Sequence, residues 1–189
     1  MPILGVIASS ISGNLWPANS YESIATTTVG AGGSSSITFS AITSAYTHLQ
    51  IRYSARTSRV STSEDINLQI NSDTANNYSW HLLYGDGANF VVNSAATTFR
   101  MLVPSVSSAN ATANIFGSGI VDILDYTNTN KFKTVRSLGG SDRNGAGEMM
   151  LESGNWRSTS VVSSLTFTPS AGGNFVQYTT FALYGIKGS

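Results

Sequence analysis

His48 and His81 are the only two histidines in the chain. Either imidazole could in principle bind a metal or act as a base. A zinc site wants three or four protein ligands, and neither histidine has a second imidazole or a close carboxylate pair beside it. Both sit on the polar positions of alternating segments, so the simpler reading is a surface histidine on a sheet. Asp86 in GDG, with Asp122 and Asp125 in VDILDY, offers oxygen ligands or a carboxylate pair for glycoside cleavage. Their spacing matches no D-x-[DN]-x-[DN]-G calcium loop, and Asp and Asn are ordinary turn residues in YGDGAN. VGAGGSSS lacks the G-K-[ST] ending of a phosphate loop, and no G-x-S-x-G elbow occurs. NYS at 77 and NAT at 110 match the glycosylation triplet but carry little weight without a secretory signal. The expectation is a non-enzymatic protein with no catalytic, cofactor or metal residues.

One constellation remains. Asn155, Trp156 and Arg157 adjoin in SGNWRSTS. A sugar ring stacks its apolar face on an aromatic side chain while amides and guanidinium hold its hydroxyls. These three residues have that chemistry, and Trp16 in NLWPANSYE is a second aromatic candidate. The competing reading buries Trp156 in the core or at an interface.

The elements that must position these residues read as strands. In YTHLQIRYSAR, Leu49, Ile51, Tyr53 and Ala55 alternate with His48, Gln50, Arg52, Ser54 and Arg56. Successive strand side chains point to opposite faces, so this is a half-buried strand with a polar outer face. SITFS, DINLQIN, YSWHLLY and TTFRMLV alternate likewise, the last placing Phe99, Met101 and Val103 on one face. Further strands are expected over 20–29, 88–93, 117–126, 131–138, 148–152 and 161–168. Gly-, Asn- and Asp-rich turns separate them, PSVSSANATAN (104–114) reads as a surface loop, and no segment carries a helical stripe. The predicted fold is an all-β, antiparallel sandwich of jelly-roll type, with 1–19 as an extended N-terminal arm and 20–189 as one domain.

Composition narrows the function. Charged residues are 11 % of the chain and the formal net charge is zero, against about 25 % charged in ordinary domains. Nothing suggests a nucleic-acid partner, because no basic patch rises above the background. Ser and Thr supply the polar surface. The chain has no cysteine, which rules out disulfides and thiolate chemistry. The opening MPILGVIASSISGNLW has no Lys or Arg before its apolar run, unlike a signal peptide, and the run is too short for membrane insertion. Its Ile3, Leu4, Val6, Ile7, Ile11 and Leu15 fit neither a strand nor a long helical stripe, which suits burial on a partner; a flexible tail is the alternative.

The segment 174–186 reads as a strand apolar on both parities: Phe175, Phe181 and Leu183 on one, Val176, Tyr178, Ala182 and Tyr184 on the other. Such a strand is covered on both sides. With the arm, its Val176, Tyr178 and Tyr184 are the expected assembly contacts of a homo-oligomer, a trimer being the expected state.

NSYESIATTTVG, YTHLQIRYSAR, the C-terminal FALYGIKG and the opening LGVIASSISGNLW together resemble a module of tailed-bacteriophage virion proteins found in marine and cyanobacterial phages. The resemblance covers both ends and the chain up to about residue 56, not 57–173. It implies a virion structural protein, as capsid decoration, head fibre or tail-associated component, with capsid or tail proteins as partners. It brings no catalytic residues. The alternative expectation is a receptor-binding module recognising host surface glycan.

Overall fold

The computed structural model describes residues 20–188. The arm expectations on Ile3, Leu4, Val6, Ile7, Ile11 and Leu15, and the one on Trp16, lie outside the described residues. The described residues form β1 (Tyr21–Thr28), β2 (Ile37–Phe39), β3 (His48–Ala55), β4 (Ser63–Ile70), β5 (Tyr78–Gly85) and β6 (Phe90–Thr98). They continue with β7 (Met101–Ser107), β8 (Gly117–Leu124), β9 (Lys133–Asp142), β10 (Gly147–Trp156), β11 (Leu165–Pro169) and β12 (Thr180–Ile186). No helix occurs among them.

The strands make two antiparallel sheets packed as a sandwich. The larger has eight strands in the order β1-β12-β3-β8-β9-β10-β5-β6, and the smaller has four, β2-β11-β4-β7. Period two explains the packing. In β3, Leu49, Ile51, Tyr53 and Ala55 are buried while Arg52 and Ser54 are exposed, the register expected from sequence. In β4, Ile66, Leu68 and Ile70 face the core. Phe181 from β12 sits at the centre, its ring 5.0 Å from Tyr53 and from Phe167 and 5.3 Å from Phe175. The Tyr53 ring crosses over Gly119 of β8, where any Cβ would collide with it, and its hydroxyl donates to the Pro104 carbonyl at 2.7 Å.

Four expectations change. Residues 104–107 are not a surface loop but the buried end of β7. Pro104 is tolerated there because β7 is an edge strand of the smaller sheet. Phe99 does not face the core with Met101 and Val103: it lies in the short connection between β6 and β7, exposed, with the Arg100 guanidinium 4.5 Å from its ring. The strand expected over 131–138 runs on through Gly139–Asp142 as β9, so the turn between it and the strand expected over 148–152 shrinks to 143–146.

The C-terminal segment is a strand only over 180–186. Before it the chain turns: the Thr179 N–H donates to the Val176 carbonyl at 3.1 Å, and Tyr178 has φ 71°. Tyr178 is 70 % exposed and Val176 half-buried. Phe175 keeps its core place through isolated bridges to Ser34 and Thr57.

Candidate functional site

The larger sheet is wider than the smaller one beneath it, and its outer face divides into two halves. Across β1, β12, β3 and β8 that face is polar and internally bonded. Gln50 Oε1 accepts from the Tyr21 hydroxyl at 2.7 Å and from Arg52 Nε at 2.9 Å, while its Nε2 donates to Asp122 Oδ1 at 2.8 Å. Arg136 Nη2 lies 3.5 Å from Asp122 Oδ2. Tyr21 stacks on Tyr184 at 4.9 Å, with Arg52 over both rings at 5.4 and 5.7 Å. The outer side of β12 is therefore covered by the chain's own Tyr21 and Arg52, which supplies the two-sided burial that its sequence pattern requires.

Across β8, β9, β10, β5 and β6 the outer face is apolar. Register places Ile120 beside Leu138, Leu138 beside Leu151, Leu151 beside Leu83, and Leu83 beside Val92. All five side chains are exposed, from 36 % for Leu83 to 71 % for Val92. Phe90 and Met149 stand in the next row, paired with Gly85 between them. On the other flank the row is polar: Ser94, His81, Ser153, Arg136 and Asp122.

β6 carries this face to the sheet's edge. It overhangs the smaller sheet, and both of its faces are largely exposed. Residues 87–99 contain no charged side chain. Beside the apolar rows lies an open depression of about 1080 Å³ between the β5–β6 and β9–β10 hairpin tips. Ser118, Gly119, Ile120, Gly139 and Gly140 line it on one side, and Asp86, Asp142 and Glu148 on the others.

Its acids are already engaged. Asp86 accepts from the N–H groups of Ala88 and Asn89 at 2.9 and 2.6 Å. Those bonds hold its carboxyl below the usual range, the opposite of what a general acid needs. The buried Glu148 carboxylate accepts from the Ser105 hydroxyl and meets Arg143 Nη1 at 3.2 Å. Behind the apolar rows, on the inner side of β10, Glu152 is 3 % exposed and accepts one bond, from the Ser137 hydroxyl at 2.8 Å. Burial, against that bond and with the help of Asp65, pushes its carboxyl up to about 7. Asp65 is also raised, by burial and then by Glu148.

The residues singled out from sequence do not converge. His48 Nδ1 accepts the Asp125 N–H at 2.9 Å, and Asp125 pairs with Lys131, which lowers its pKa. His81 stands in the polar row on β5, exposed. No cluster of three His, Asp or Glu side chains suited to a metal exists among the described residues. Arg56 donates to four carbonyls, those of Ala109, Ala111, Thr112 and Ile115, and so holds the loop after β7.

The sugar platform is corrected. Trp156 is 2 % exposed and packed in the core, with its Nε1 donating to Asp73 Oδ2 at 2.7 Å. It ends β10 on the inner parity, so its ring face is covered. Arg157 donates to the Ala96 and Asn76 carbonyls at 2.8 and 2.6 Å, and Asn155 Nδ2 lies 3.4 Å from the Lys133 carbonyl.

The apolar rows were missed from sequence, although the doublets Leu82–Leu83 and Val91–Val92 and the triplet Met149–Met150–Leu151 signal them. Adjacent apolar residues in a strand place one on each face. No protein-family model matches the chain, and a search of curated proteins also finds no match.

Proposed function

We propose that this chain is a non-enzymatic structural protein of a bacteriophage virion, a capsid decoration, head fibre or tail-associated component that assembles through subunit contacts. The observation that carries the reading is the apolar half of the outer face. Exposed apolar side chains scattered singly need no explanation, but a contiguous patch marks a surface that another molecule covers. Here the patch crosses five adjacent strands of a rigid sheet and is bordered by a polar row, as interface cores are. The stretches that resemble phage virion modules, β1, β3 and β12, build the other half of the same sheet.

The test is composition of the particle. Mass spectrometry of purified virions of the encoding phage should recover the chain at a fixed multiple-copy ratio to the major capsid or tail protein. Its absence from virions, with abundance in the infected cell, would overturn the reading. The rival, a receptor-binding module for host surface glycan, has lost the Asn155–Trp156–Arg157 platform with the burial of Trp156.

A further inference from the structure

We infer that a second copy of this chain packs its larger sheet face to face against the apolar half described above, about a twofold axis running along β10. The inference rests on the assembly reading but names a partner and a surface that the reading leaves open. Three observations carry it.

The first is area. A large apolar side chain presents on the order of 100 Å² when fully exposed, so the two apolar rows present on the order of 400 Å². That is already within the range of the largest patch on a typical monomer, about 300–600 Å². Two copies in register would bury roughly twice that, and their polar rims bring the total to the roughly 1,000 Å² of a stable interface.

The second is self-complementarity. A twofold contact requires one patch to fit its own image. Rotation about an axis along β10 lays β6 of one copy over β8 of the other. Phe90, 71 % exposed, then stands over the row position of Ser118 and Gly140, where the depression has no large side chain. Val92 meets Ile120, Leu83 meets Leu138, and Leu151 meets Leu151. The protruding end of each row faces the hollow end of the other.

The third is charge. The same rotation sets Asp122 of the polar row over Ser94 and Arg136 over His81 of the other copy, so no carboxylate of that row meets a carboxylate. The contact makes a dimer where the C-terminal strand pattern leads one to expect a trimer.

The absence of cysteine makes the test clean. Packed sheets lie about 10 Å apart, within reach of a short bis-maleimide. In the full-length chain, Leu151→Cys should cross-link to a covalent dimer, whereas Val60→Cys, 83 % exposed in the loop before β4, should not. Leu151→Asp should halve the sedimenting mass with its melting temperature retained, because the residue is 45 % exposed. A monomeric wild-type chain at high micromolar concentration would overturn the inference, as would a Leu151→Asp dimer. In the double variant Ile7→Cys with Leu151→Cys, a cross-link within one chain would show that the N-terminal segment covers the face, and would also overturn it. Virion recovery is scored separately, so a failed dimer with the chain still present in particles rejects this face and leaves the structural role standing.

Discussion

The two halves of the larger sheet's outer face belong to one hydrogen-bonded sheet, yet they meet water differently. On β1, β12 and β3 the outward Tyr21, Tyr184, Gln50 and Arg52 find partners in the same chain. Gln50 bridges Tyr21, Arg52 and Asp122, and Tyr21 and Tyr184 stack beneath Arg52. On β9, β10, β5 and β6 the corresponding positions hold Leu138, Leu151, Leu83 and Val92, with nothing over them among the described residues. One half is finished by its own residues, and the other is left open among the described residues. The inner sides differ too. Under the polar half lie Ile51, Val121 and Leu183, all fully buried. Under the apolar half lies a carboxyl that keeps its proton to about pH 7.

The largest expected effect lies beneath the polar half. Ile51→Ala should destabilise by about 2–5 kcal/mol, the range for emptying a packed site. His48→Ala, one strand face away, should change stability far less. A denaturant titration giving the reverse order would mean that the two faces are exchanged.

Beneath the apolar half, pH should matter more. Glu152 ionises near 4.5 in the unfolded chain and near 7 in the fold. Between those values unfolding releases a proton, so stability falls as pH rises, and the loss is complete above about pH 7. The shift is equivalent to roughly 3 kcal/mol, and Asp65 acts in the same direction. Glu152→Gln should flatten the melting temperature across this window, and an unchanged slope would relocate its source.

A smaller effect separates the two surfaces. Gln50→Leu removes the hub of the polar network and leaves Asp122, Tyr21 and Arg52 to half-exposed water contacts. It should cost about 1 kcal/mol in a melt. In a sample dilute enough to be monomeric, Val92→Thr, an exposed swap of similar shape that keeps the strand's β-branched character, should stay within about 0.5 kcal/mol of wild type. If Val92→Thr destabilised the chain more than Gln50→Leu did, the apolar half would be part of the chain's own core.

Strand content was legible because period two is a local property. Leu49, Ile51 and Tyr53 announce their face without knowledge of the partner strand. Sheet membership was not legible, since β6 and β7 are joined by Phe99 and Arg100 yet belong to different sheets. Nothing in TTFRMLV marks that switch. The break at Tyr178 was hidden as well, because a tyrosine at positive φ gives none of the warning that glycine would. Trp156 looked like a site because tryptophan beside Asn and Arg has sugar-binding chemistry. Its fate turned on Asp73, 83 residues away in sequence in the half-buried connection between β4 and β5, which accepts its N–H. The apolar face was readable in the doublets of β5, β6 and β10, but only if a second apolar residue is taken as evidence of a second covered side.

The order of strands also sets a timetable for synthesis. β3 lies between β12 and β8, and β12 lies between β1 and β3. A ribosome makes β1 and β3 early, yet the strand that joins them begins at Thr180. At roughly 5–20 residues per second, Leu49, Ile51 and Tyr53 wait on the order of ten seconds for that neighbour. The hairpins β5–β6 and β9–β10 can close as they emerge, and β3 can pair with β8 once Leu124 is made, but β1 cannot join the sheet until β12 has followed. A nascent chain stalled before Thr180 would hold a half-built sheet with an open seam, the species on which a chaperone or a misfolding partner would act.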